Sequence, residues 1–100
     1  MVIYEITAVV LLELVEKYEK YMCERHIPDL LATRYFRAAR FTRSAENRYR
    51  IFYEAYDQES LDKYLETDAP RLRADFSAQF PAGIELSREI WQVVEIWQEK

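Results

Sequence analysis

The sequence predicts an α+β fold with the element order β-α-β-β-α-β, and three features of the chain carry that prediction. A β-branched run opens it, two stretches hold apolar residues at three-and-four spacing, and aromatic, alternating segments lie between and after them. The 100 residues, half of them apolar, are enough for one hydrophobic core and too few for two, so a single domain over residues 1–100 is expected.

Val2 to Val10 reads as the first strand. From Leu11 the apolar positions 11, 14, 15, 18 and 22 share one helical face, with Glu13, Glu16, Lys17, Glu19, Lys20 and Glu24 mostly opposite, so an amphipathic helix to about Arg25 follows. Pro28 predicts a break there and a new helical turn from Asp29 to Thr33, with His26 at the break. Arg34–Arg43 and Tyr49–Tyr56 read as two strands of a hairpin turning at Ser44–Asn47. Asp57 is placed to cap a second helix carrying Leu61, Tyr64, Leu65 and Leu72, with a kink or restart near Ala69 imposed by Pro70 and a further turn carrying Phe76 and Phe80. Pro81-Ala82-Gly83 ends it, and Ile84 to Trp97 reads as a long final strand.

That order is the split βαβ pattern of ferredoxin-like domains: a four-stranded antiparallel sheet whose right-handed crossovers put both helices on one face. The other face is left bare, and yet both alternating sets carry bulk. Tyr4, Ile6, Tyr53, Ile90 and Val94 fall in one set, and Phe36, Phe52, Tyr56, Trp91 and Trp97 in the other. A sheet apolar on both faces calls for a cover, and a second copy of the chain is the expected one. A short chain also gains stability by oligomerising.

The net charge of −4 argues against a dedicated binder of nucleic acid or anionic membrane. No membrane span or signal peptide is expected, because the apolar start is interrupted by Tyr4, Glu5, Thr7 and Glu13 and has no basic residues ahead of it. Cys23 is the one cysteine, so no intrachain disulfide forms and a reducing cytoplasm is the simplest location. Cys23 and His26, one turn apart, are too few to hold a metal, and Cys23 reads as a small buried or half-buried apolar residue. No phosphate-cradling glycine loop is present, and no cofactor is expected.

His26 is the sole histidine and the leading candidate acid or base, with Asp29 near enough in sequence to orient it. The structural alternative is that His26 closes the first helix and bonds its last carbonyls. Tyr4 and Tyr53 can offer phenol hydroxyls to a pocket between sheet and helices, or serve as packing like Tyr49, Tyr56, Trp91 and Trp97. Arg34, Arg37, Arg40, Arg43, Arg48 and Arg50 crowd the hairpin against a single Glu46. Arg40 can clamp the carboxylate of a small acid, or the patch can pair with Glu85, Glu89 and Glu95 across a dimer. An RNA-binding reading lacks the glycine-containing aromatic signature on Arg48-Tyr49-Arg50-Ile51-Phe52-Tyr53.

Tyr4-Glu5-Ile6, the block His26-Ile27-Pro28-Asp29-Leu30-Leu31-Ala32-Thr33, and Tyr64-Leu65 with Ala69-Pro70-x-Leu72-Arg73 resemble a small family of unknown function. Its members are similar to the dimeric α/β-barrel superfamily, in which two ferredoxin-like domains face their sheets together. The resemblance spans nearly the whole chain and implies a homodimer with a small-molecule site between sheet and helices. Arg34 departs from the pattern, which has glycine there, and puts the turn into the second strand in question. The superfamily includes cofactor-independent oxygenases, haem degraders and isomerases, and the family brings no catalytic residues to carry over. The expected function is binding of a small, partly apolar molecule, with enzyme activity undecided. The alternatives are a structural or regulatory interaction module and, behind it, a cofactor-independent oxygenase or isomerase or an RNA binder.

Overall fold

The computed structural model describes residues 1–99. Strand β1 spans Val2–Val10, as its β-branched run predicts, and its burial alternates strictly, so the even positions face the helices. A 3-10 turn at Leu12–Leu14 leads into α1, Val15–Tyr21. The helix then widens rather than breaks: Met22–His26 is π-helical, and the Ile27 N–H bonds to the Met22 carbonyl five residues back. Helix α2, Ile27–Ala32, continues directly with Pro28 in its first turn. The expected break at Pro28 is therefore absent. A wider turn relieves the clash between a proline ring and the carbonyl four residues earlier, at a position where proline has no N–H to lose.

After α2 the backbone reverses at Arg34, whose φ of 69° is left-handed. The arginine holds the conformation for which glycine was expected. Strands β2 (Phe36–Ala45) and β3 (Arg48–Ala55) then form the hairpin. Helix α3, Gln58–Thr67, is capped by Asp57, whose carboxylate accepts from the Ser60 N–H at 2.8 Å. Helix α4, Ala69–Gln79, restarts at Asp68 with Pro70 in its first turn. The Pro81–Gly83 turn follows, with Gly83 at φ 94°. Its carbonyl accepts from the Leu11 N–H at 2.9 Å, which ties the start of the final strand to the end of β1.

Strand β4, Ile84–Gln92, is shorter than expected. One further backbone bond, Val93 N–H to the Met1 carbonyl at 3.1 Å, ends its pairing. The apolar residues beyond, Val94, Ile96 and Trp97, are exposed. All pairings are antiparallel and the sheet order is β2-β3-β1-β4, the ferredoxin-like arrangement predicted.

The register places Val2, Tyr4, Ile6, Ala8 and Val10 beside Ala55, Tyr53, Ile51 and Tyr49 on the helix face, where they meet Tyr18, Met22, Leu30, Leu61, Tyr64, Leu72, Phe76 and Phe80. Phe36 joins this core, contrary to the expected alternation, because a bulge between Phe36 and Ala38 shifts the phase of β2. Tyr56 lies past the end of β3 and is exposed. The bare face carries Ile3, Phe52 and Trp91, with Ile3 opposite Trp91 and Glu5 opposite Phe52. No helix among the described residues is long and apolar enough to cross a membrane.

Candidate functional site

A cavity of about 210 Å³ lies between the sheet and the helices. Its floor is Tyr4 and Ile6 of β1 with Ile51 of β3, and its roof is Tyr18 of α1 and Met22 and His26 of the π-helical turn, with Tyr64 of α3 and Phe76 of α4. These eight side chains are buried. Arg73 and Ser77 of α4 and Leu86 and Arg88 of β4 complete the lining and are exposed, so the mouth opens between α4 and β4. An apolar body with a few polar groups at one end is the usual composition of a small-molecule site.

His26 reaches this site because the π-helical widening turns its side chain inward, while Cys23 in the same turn is exposed. Cys23 is thus exposed, where a buried or half-buried position was expected. The imidazole packs against Phe76 and Tyr21 at ring-centroid distances of 5.5 and 6.0 Å. Its Nδ1 is buried without a hydrogen-bond partner among the described residues. Burial holds the imidazole below its ordinary value and Arg88 pushes it further down, against the opposing carboxylates of Asp29 and Asp75. A neutral imidazole with a free nitrogen at a cavity wall can accept a proton or a hydrogen bond. His26 does not close the end of a helix, since the backbone runs on through it.

The Tyr4 hydroxyl accepts from Arg73 Nη2 at 3.1 Å, which places a phenol and a guanidinium together at the cavity wall. Tyr53 sits beside Tyr4 in register, fully buried, with its hydroxyl unpartnered among the described residues. It stands next to the lining rather than in it. Desolvation raises the hydroxyls of Tyr18, Tyr53 and Tyr64, so all three stay protonated near neutral pH. Asp29 is half-buried, makes no bond to His26 and does not line the cavity.

Arg40 is not brought to this site. It lies on the opposite face, in a shallow groove with Ile3, Ala38, Phe52 and Glu54. The basic hairpin is partly neutralised within the chain: Arg37 pairs with Glu54 at 3.3 Å, Arg43 with Glu19 at 3.1 Å and Arg50 with Glu5 at 3.8 Å. The two arginines that do line the cavity, Arg73 and Arg88, were not among the site candidates read from the sequence, where Arg73 figured only in the block that carries the resemblance. Their signals were present, since Arg88 shares strand parity with Ile84, Leu86 and Ile90 and Arg73 lies three residues before Phe76. Among the described residues no group of three or more His, Cys, Asp or Glu side chains could hold a metal.

The family model described as Domain of unknown function (DUF4286) matches residues 1–94, and the chain belongs to that family. No curated protein matches it. Among solved structures, the chain is similar to SnoaB, a cofactor-independent oxygenase from Streptomyces nogalater, with a TM-score of 0.78 at 13% identity over 98% of this chain and 97% of that one. It is also similar to a dimeric ferredoxin-like protein from an uncultured marine organism, with a TM-score of 0.74 at 13% identity over 99% and 100% of the two chains. A protein of the ethyl tert-butyl ether d (ethd) family from Bacillus halodurans gives a TM-score of 0.72 at 17% identity, covering 94% and 100%. At these identities the likeness shows the fold.

Proposed function

We propose that this member of the DUF4286 family is a cytoplasmic homodimer, one domain per chain over residues 1–100, that binds a small, partly apolar molecule in the cavity between its sheet and its helices. The observation that carries this reading is the cavity itself: about 210 Å³, walled by buried aromatic and aliphatic side chains and edged by His26, Tyr4, Arg73 and Arg88. A dry apolar cavity of about 150 Å³ holds benzene, so this one suits a molecule of one or two rings. The bare sheet face with Ile3, Phe52 and Trp91 supports a second copy as its cover, as does the likeness in fold to a dimeric ferredoxin-like protein.

Native mass spectrometry of the gently purified protein tests both parts. The reading expects a dimer carrying an adduct that is lost on denaturation. A monomer contradicts the assembly, and a bare dimer that also takes up no one- or two-ring compound contradicts the site.

A second reading is cofactor-independent proton-transfer or oxygen chemistry on the bound molecule. The unpartnered Nδ1 of His26 at the cavity wall supports it, as does the fold shared with SnoaB. His26 would act as acid or base, with Tyr4 donating a hydrogen bond and Tyr53 close behind it. Unchanged affinity and turnover in His26→Ala would remove that assignment.

A further inference from the structure

We infer that the cavity selects an anionic ligand, a planar aromatic carboxylate, and that Arg73 and Arg88 are the residues that grip its carboxylate; this rests on the reading of the cavity as a binding site. The chain is acidic overall, at −4, yet the cavity lining contains no Asp or Glu and two guanidinium groups. Arg73 comes from α4 and Arg88 from β4, so two separate elements deliver positive charge to one mouth.

Neither arginine has an acidic partner within ion-pair distance among the described residues, whereas Arg37, Arg43, Arg50 and Arg71 each have one. Arg73 spends one N–H on the Tyr4 hydroxyl, which fixes the guanidinium at the cavity wall and leaves its other donors free. The field of both arginines reaches the Tyr64 hydroxyl, and that of Arg88 reaches His26, so the pair faces the ligand space from the α4–β4 side. The carboxylates whose field reaches His26 or Tyr64, Asp29, Asp68 and Asp75, stand outside the lining, and Asp68 is paired with Arg71 at 3.2 Å.

The rest of the lining sets the shape of the ligand. Tyr4, Tyr18, Tyr64 and Phe76 wall the deeper space with rings, which suits a flat apolar body. The charged end then points outward, towards a mouth where guanidinium forks match carboxylate oxygens. Both guanidinium groups are exposed at that mouth, so the grip comes from paired charge-assisted hydrogen bonds rather than from a low-dielectric surround.

Isothermal titration of the full-length protein with 2-naphthoate and with its neutral isostere 2-naphthamide tests the inference, alongside Arg73→Gln and Arg88→Gln, with circular dichroism confirming that each variant is folded. Hydrogen bonds to charged groups set the expected size of the effect, so the carboxylate should bind roughly tenfold or more tighter than the amide. Each glutamine variant should lose most of that preference and leave amide binding little changed. Equal binding of both probes by the wild type overturns the anion selectivity while the cavity reading stands. A preference that survives in both variants overturns the role of the two arginines. Binding of neither probe overturns the inference together with the reading it rests on.

Discussion

The His26 imidazole stands edge-on to the Phe76 ring, centroids 5.5 Å apart and planes at 65°, and this contact joins the π-helical turn to α4. It also shields the imidazole from water. The folded chain therefore binds a proton at His26 less readily than the unfolded chain does.

The sign of the resulting pH dependence follows from that difference. His26 is lowered from 6.5, chiefly by burial, with Arg88 adding to the effect and Asp29 and Asp75 opposing it. Above 6.5 both states are neutral at this group and stability is unaffected. As pH falls below 6.5 the unfolded state takes up the proton first, so stability drops until the folded value is passed. Melting temperatures of the wild type and His26→Gln between about pH 8 and 5 should diverge below about 6.5, the wild type losing more. Parallel curves would mean that His26 is open to solvent.

Tyr53 is fully buried with an unpartnered hydroxyl. An unsatisfied buried polar group costs about 1–3 kcal/mol, so Tyr53→Phe should leave the protein as stable or more stable, by up to about 1 kcal/mol in urea denaturation. A loss of more than about 1 kcal/mol would reveal that the hydroxyl has a partner in solution.

Arg34 occupies left-handed backbone at φ 69°. A side chain costs about 1–2 kcal/mol in that conformation, partly offset in a glycine variant by the greater freedom of the unfolded chain. Arg34→Gly should therefore raise stability by about 0.5–1 kcal/mol. A decrease would mean that the guanidinium makes a stabilising contact at this turn.

The proposed dimer can be broken from the bare sheet face. Phe52 is half-buried there, one strand from Ile3 and two from Trp91. Phe52→Glu places a third carboxylate beside Glu5 and Glu54, and light scattering should show about half the wild-type mass with circular dichroism unchanged. A dimer retained in both Phe52→Glu and Trp91→Glu would move the interface elsewhere.

Much of the architecture was legible because its signals are local. The β-branched run of β1, the Asp57 cap and the restart at Pro70 each follow from neighbouring residues. The departures have a common cause in irregular backbone. The π-helical turn carries the chain through Pro28, the bulge after Phe36 reverses the facing of one aromatic, and β4 stops at Gln92, opposite Val2 at the end of β1. None of these changes the hydrophobic pattern that a sequence displays.

The site was legible in part. His26 and Tyr4 reach one cavity, Tyr53 packs beside it, and Asp29 and Arg40 stand apart. Arg40 drew attention because basic residues crowd the hairpin, but the bare-face side of a strand cannot serve a cavity on the helix side. Arg88, isolated on an edge strand, had the right parity and no crowd around it.

The central claim, a small-molecule site between sheet and helices, is tested most directly through the one histidine of the chain. Its imidazole resonances should be followed by nuclear magnetic resonance while 2-naphthoate is added to the intact protein. Saturable shifts at His26, with Tyr4 and Phe76 moving in step and Phe52 and Trp91 on the opposite face unmoved, are the predicted result. A His26 that stays unperturbed with 2-naphthoate and equally with the neutral 2-naphthamide, whether they bind elsewhere or not at all, would contradict the claim.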